Sequence, residues 1–159
     1  MAESGINSIE AKERLNMEAW TNERLLEAAG EAMKRAYVPY SHFKVGAALL
    51  DSEGHVHYGC NVENAAYGPS NCAERTALFR AVADGHAAGS FRAIAVIGDT
   101  PGPITPCGVC RQVLSELCEP DMPVIMGNLR GDVKVMTVSE LLPGAFSPRD
   151  LNAGKKDEE

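Results

Sequence analysis

The pattern of apolar and polar positions changes period several times along the chain, and each change marks an element. Glu18 to Ala36 carries the pattern of an amphipathic helix in spite of Gly30. Val45 to Leu50 and Val56 to Cys60 are apolar or alternating runs on either side of Asp51-Ser52-Glu53-Gly54, a hairpin signature. A helical run from Cys72 to about Ala83 is followed by Ala93 to Ile97, an apolar run of the buried-strand type. A second helix ends near Leu117, Pro123 to Met126 reads as a strand, and Val133 to Val138 as a fifth. Alternation of strands and helices after an initial hairpin predicts an α/β chain with a mixed sheet between helices. Residues 1–15 read as loosely ordered and 16–149 as one domain without repeats. Residues 150–159, which contain Gly154-Lys155-Lys156-Asp157-Glu158, read as a disordered tail.

Composition narrows the class. At 159 residues and 45% hydrophobic content, the chain can bury one real core. A net charge of −7 argues against a polynucleotide partner, because phosphate binding needs clustered Lys and Arg. No apolar run approaches membrane-spanning length, and Met1-Ala2-Glu3-Ser4-Gly5 leads into no signal-like core. The expected compartment is the cytoplasm, with neither membrane nor nucleic acid as a partner.

Two short segments carry the chemistry: Cys72-Ala73-Glu74 and Pro106-Cys107-Gly108-Val109-Cys110. Each follows a turn-rich stretch, Tyr67-Gly68-Pro69-Ser70 and Thr100-Pro101-Gly102-Pro103, and each opens a helical run. Cys107 and Cys110 then share one face of a first turn, and the N-termini of both helices favour thiolates. Three sulfur ligands leave the fourth position of a tetrahedral zinc ion open to water, the arrangement of a catalytic site. Glu74, two residues from one ligand, can carry protons to and from that water. Zinc with three thiolates carries a formal charge of about −1, so something must draw charge from the sulfurs. Arg75 and Arg111, each adjacent to a motif, are candidate donors to them.

Other uses of the cysteines explain less. A redox pair at Cys107 and Cys110 leaves Cys72-x-Glu74 without a purpose. A disulfide framework fits poorly with five cysteines, a chain of this size and the absence of a secretory segment. Cys60 and Cys118 end a strand-like and a helical run and read as small buried hydrophobes. His55 and His57 alternate beside the hairpin and read as exposed residues rather than as a metal pair.

Cys-Ala-Glu followed by Pro-Cys-x-x-Cys-Arg-Gln resembles the zinc-dependent cytidine deaminases of the small homotetrameric, nucleoside-acting type. Their signature and mechanism are a standard example of zinc deaminase chemistry. Cys72 stands where many relatives have His, making this the three-cysteine variant. The likeness runs from Tyr37-Val38-Pro39-Tyr40-Ser41 to Leu141-Leu142-Pro143-Gly144-Ala145-Phe146. Between them lie Val45-Gly46-Ala47-Ala48-Leu49 and Gly59-Cys60-Asn61-Val62-Glu63-Asn64-Ala65.

The resemblance implies a three-layer α/β/α fold with a mixed five-stranded sheet. It also implies one zinc ion per subunit on Cys72, Cys107 and Cys110, with Glu74 as the proton carrier. The implied reaction is hydrolytic deamination of cytidine and 2′-deoxycytidine, a pyrimidine-salvage step releasing ammonia from a cyclic amidine. Asn61 and Glu63 match the residues that bind the ribose 3′-hydroxyl, and a carboxylate there would repel a phosphate. Phe43 matches the aromatic that packs on the pyrimidine, and backbone groups at Ala73 and near Cys107 would meet the base edge. Phe146, and similarly Tyr67, would reach a neighbouring subunit's pocket. The alternatives are a deaminase of a cytosine-containing antibiotic such as blasticidin S, a nucleic-acid deaminase, and a non-catalytic zinc-stabilised binding module. Asn61, Glu63 and Phe43 disfavour the first, the acidic charge the second, and Glu74 the third.

Overall fold

A computed structural model describes residues 19–153. Five strands form one sheet: β1 (Val45–Asp51), β2 (Val56–Cys60), β3 (Phe91–Gly98), β4 (Pro123–Asn128) and β5 (Val133–Thr137). Their order is β2-β1-β3-β4-β5. β1 is antiparallel to both neighbours, β3 and β4 are parallel, and β4 and β5 are antiparallel. The sheet is therefore mixed, as the alternation of elements predicts. Its single parallel pair needs a crossover, which the helix α3 (Gly108–Leu117) supplies.

Every residue of β1 is buried, because helices cover both faces of the sheet. On one face Ala48, Leu50, Ala93, Ala95 and Ile125 meet Leu25, Leu26, Ala28 and Ala29 of α1 (Asn22–Met33). On the other, Ala47, Leu49, Ile94, Val96, Val124 and Met126 meet Ala77, Leu78 and Ala81 of α2 (Ala73–Ala83) and Leu114 of α3. This is the three-layer α/β/α arrangement. Each fully buried Leu or Ile here contributes about 1.5–3 kcal/mol by leaving water.

Two glycines let the helices approach the sheet. A Cβ on Gly46 would lie 2.6 Å from Met33 N of α1, and one on Gly59 would lie 2.5 Å from Ala77 N of α2. Gly59 is paired with Ala47, so its side of β2 faces the layer that carries both cysteine motifs.

Element ends follow local caps. Thr21 accepts a hydrogen bond from Arg24 N at 3.2 Å and starts α1, which ends at Met33 rather than at Ala36. Val138 does not extend β5, as the sequence pattern suggested. Thr137 and Glu140 form a capping box that turns Val138–Leu141 into the short helix α4. A second box between Ser147 and Asp150 starts α5 (Pro148–Asn152), so the segment expected to be a tail begins in a helical turn. The expectation for residues 1–15, and that for 154–159, lie outside the described residues. No helix among those described is long and apolar enough to cross a membrane.

Candidate active site

Cys72 is the N-cap of α2 and Cys107 the N-cap of α3, both with extended backbone, while Cys110 sits in the first turn of α3. The expected helix starts are thus correct, with each leading cysteine one step outside its helix. Neither N-cap side chain accepts a capping hydrogen bond from the backbone of its own helix. The three Sγ atoms instead gather within 4.8 Å of one another, and those of Cys72 and Cys107 are 3.8 Å apart. Thiolates about 2.3 Å from a tetrahedral zinc ion stand about 3.8 Å from each other, so the spacing fits the ion. Cys110 is buried, Cys72 half-buried and Cys107 exposed, and all five cysteines of the chain are free thiols. The cluster is a pocket for metal that opens on one side.

Electrostatics from the protein's own groups polarise this cluster. Hydrogen bonding from Cys110, then from Arg75 and Cys107, outweighs burial and holds the Cys72 thiol well below its ordinary range. Cys110 is pushed the other way, first by its hydrogen bond with Cys72, then by burial and the charge of Glu74. Arg75 Nη2 donates to Cys72 Sγ at 3.2 Å, the contact expected of it. Its Nε is buried without a hydrogen-bond partner among the described residues.

Arg111 does something else. Its Nε donates to Pro106 O and its Nη1 to Leu141 O, both at 2.8 Å, and it forms no hydrogen bond to a sulfur. Lying one position past Cys110, it is directed at the loop entering α3, and it ties that loop to α4.

Glu74 is only 5% exposed, with Oε2 accepting from Cys110 Sγ at 3.7 Å. Burial first, and then the negative charge of Cys72, raise its carboxyl above the ordinary range. A carboxyl raised toward neutrality is suited to taking up and releasing protons at working pH. Ala73, wholly buried, separates it from Cys72. Thr76 escaped the sequence reading. Its Oγ1 accepts from Asn71 Nδ2 and donates to Cys72 O, each at 3.1 Å, which fixes the turn carrying the cysteine. A hydroxyl four residues after Cys72 was the available signal.

The segment after β2 is tied to that turn. Val62 and Asn71 exchange backbone hydrogen bonds at 3.0 and 2.9 Å, while Tyr37 N donates to Asn61 O and Glu63 N to Tyr37 O. Glu63 Oε1 accepts from Ser41 N at 3.0 Å and Tyr40 N at 3.2 Å. Hydrogen bonds from Ser41 hold its carboxyl below the ordinary range, and no hydrogen bond engages Oε2 among the described residues. Asn61 Oδ1 accepts from Val45 N at 2.8 Å and its Nδ2 donates to Phe43 O at 2.7 Å, which leaves one amide N–H. Phe43 is partly exposed, its ring tip 3.6 Å from where a Cβ on Gly98 would sit at the end of β3.

Tyr67 and Phe146 are 76% and 60% exposed, so within one chain neither is packed into the site. Tyr67 has a left-handed backbone, φ 45°. A groove of about 440 Å³ between α1, β2 and α2, lined by Glu31, Arg35, Tyr58, Cys60, Thr76 and Arg80, holds none of the three thiols. Cys118 is buried, which pushes its thiol up to about 12, whereas Cys60 is only half-buried.

His55 is exposed as expected, but His57 is not. It lies opposite Leu49 on the covered face of the hairpin, where its Nε2 meets the buried Asp51 carboxylate at 2.9 Å.

Three thiols and a buried carboxylate at two helix N-termini, on such a sheet, are the parts of a hydrolytic metal centre. Residues 20–126 match the family described as the cytidine and deoxycytidylate deaminase zinc-binding region. The chain is 55% identical to a cytidine deaminase of Sporosarcina psychrophila, over 82% of this chain and 94% of that protein. It is 56% identical to one of Halalkalibacterium halodurans, over 80% and 96%. A crystal structure of cytidine deaminase from Burkholderia pseudomallei superposes with a TM-score of 0.79 at 57% identity, covering 80% of this chain and all of that one. The chain belongs to the zinc-dependent cytidine deaminase family.

Proposed function

We propose that the protein deaminates cytidine and 2′-deoxycytidine hydrolytically, giving the uridine nucleosides and ammonia. Cys72, Cys107 and Cys110 hold one zinc ion per subunit, and their spacing supports that assignment. Zinc in this place supplies Lewis acidity that lowers the pKa of the attacking water. Glu74 takes one proton from the attacking water and passes it to pyrimidine N3 as the oxygen adds at C4. It then takes the second from the C4 hydroxyl and delivers it to the amino group, so that ammonia leaves and the 4-oxo product remains. The observation that carries this reading is the buried Glu74 carboxyl, raised in pKa, beside Cys110.

The nucleoside is oriented by residues of the first strand's entry and the loop after β2. Glu63 presents Oε2 and Asn61 its remaining N–H to the ribose 3′-hydroxyl, Phe43 packs on the base, and the backbone at Ala73 meets the base edge. Arg75 withdraws charge from Cys72 through the hydrogen bond it donates. The assembly is a homotetramer in which Tyr67 and Phe146 complete neighbouring pockets, which accounts for two large aromatics left exposed on one chain. Free cysteines fit a reducing cytoplasm and a role in pyrimidine salvage.

A spectrophotometric assay of the purified protein with cytidine tests the reaction, and absence of turnover by the zinc-loaded protein would end the proposal. Sedimentation of the active form tests the assembly: a fully active monomer would remove Tyr67 and Phe146 from the site.

A further inference from the structure

Far from the three thiols, three of the chain's four histidines converge on a single oxygen atom. Asp51 Oδ2 lies 2.9 Å from His57 Nε2, 3.3 Å from His86 Nδ1 and 3.5 Å from His55 Nδ1. Asp51 ends β1, His57 is in β2, and His86 follows the C-terminus of α2, so three separate elements meet there. Because α2 runs from Cys72 toward His86, about 16 Å of helix separates this cluster from the thiols.

We propose that Asp51, His57 and His86, with His55 at the rim, form a second metal site for a divalent transition-metal ion of the zinc class. Ligand atoms about 2.0–2.2 Å from a tetrahedral zinc ion stand about 3.3–3.6 Å apart. The distances from Asp51 Oδ2 to His86 and His55 fall in that range, and the one to His57, at 2.9 Å, would open by a few tenths of an ångström around an ion. The ligand atoms of Asp51, His57 and His86 lie within 4.8 Å of one another. The rings of His57 and His86 meet edge to face, 69° apart with centroids at 4.5 Å, so neither stacks over the other. Imidazole with carboxylate is the donor set of zinc and its neighbours rather than of calcium or magnesium.

The carboxylate is also held as a ligand needs to be. Its other oxygen, Oδ1, accepts from Glu53 N and His55 N, each at 2.9 Å, which aims Oδ2 at the imidazoles. Only the His57 contact is a hydrogen bond; His86 and His55 approach the same oxygen without one, and His55 Nδ1 lies equally near Glu53 Oε2, at 3.5 Å. The side chains grade from Asp51 at 1% and His57 at 9% exposure to His86 at 22% and His55 at 66%, so an ion has a path inward. Once bound, it would pin the hairpin to the far end of α2.

The test is dialysis of the zinc-loaded protein against micromolar free Zn²⁺, followed by metal and protein analysis. The wild type should hold a second equivalent per chain and His86→Ala only the first. His86 lies in a loop, and its loss removes no strand or core residue. Added Zn²⁺ should raise the melting temperature of the wild type but not that of His86→Ala. A wild type that stays at one equivalent, or a His86→Ala protein that still takes up two, overturns the proposal.

Discussion

Gly59 and Ala73 meet backbone to backbone: a side chain on the glycine would run into the Ala73 carbonyl, and its Cβ would lie 2.5 Å from Ala77 N. Neither obstacle is a flexible side-chain tip. α2 therefore rests on β2 at a distance only glycine permits, and that contact sets where Cys72 and Glu74 stand above the sheet. Gly59→Ala should push the first turn of α2 outward. Overpacking of this kind costs about 1–3 kcal/mol, so thermal unfolding should begin at lower temperature and zinc content should fall with it. Unchanged melting and metal content would show that the contact is slack.

Cys107 is the exposed member of the thiol cluster, so its removal disturbs the core least. Cys107→Ala should lose most of the bound zinc, because two thiols remain where three held the ion. Full occupancy by metal analysis would exclude Cys107 as a ligand.

Glu74→Gln keeps the shape of a buried side chain but cannot exchange protons. Turnover should fall at least about 10²- to 10⁴-fold, the usual worth of a positioned acid–base group, while zinc remains. Near-normal kcat would remove Glu74 from the proton path.

Glu63→Gln retains an oxygen for Ser41 N and Tyr40 N, so the loop should stay in place. The carboxylate charge that the proposed function sets against the sugar disappears. KM for cytidine should rise, and the preference for cytidine over its monophosphate should narrow, with zinc content unaffected. An unaltered ratio of the two activities would show that Glu63 does not read the sugar.

Asp51 gives a dependence on acid. Burial works to raise its carboxyl, but the hydrogen bonds from His57 and from the backbone of His55 and Glu53 outweigh it, so its folded pKa is below the ordinary value. A depressed carboxylate contributes stability that is fully present above its unfolded pKa, about 3.9, and is lost as pH falls through the lower folded value. Without added metal, the stability advantage of the wild type over Asp51→Asn should hold at neutral pH. It should shrink as pH falls below about 4, as read by denaturant unfolding across that range. A gap that widens toward acid would reverse the sign assigned to this group.

Legibility in the sequence followed the range of the interaction. The strands were readable because burial that is continuous in β1 and nearly so in β3 and β4 leaves apolar runs, and both cysteine helices because turn residues precede them. Contacts between distant positions were not. Arg111 sits beside Cys110 in sequence, yet its partners include Leu141 O, on an element the local pattern does not connect with it. His57 looked like a polar hairpin residue because its burial depends on a carboxylate six residues away and on β2 being covered on one side. Val138 has the composition of a strand, but the Thr137 capping box decided otherwise. Thr76 carries no motif and matters only because Asn71 folds back onto it.

The paired bonds that join Tyr37 to residues 61–63, and Val62 to Asn71, make the two halves of the pocket parts of one linkage. Asn71 adjoins Cys72, and Val62 adjoins Glu63, so a backbone held firmly at one end is held at the other. Thermodynamic reciprocity then applies: whatever free energy a sugar gains from an ordered thiol turn, the ion gains from a seated sugar. With the nucleoside seated as proposed, the filled protein should therefore surrender its metal to a chelator more slowly than the empty one.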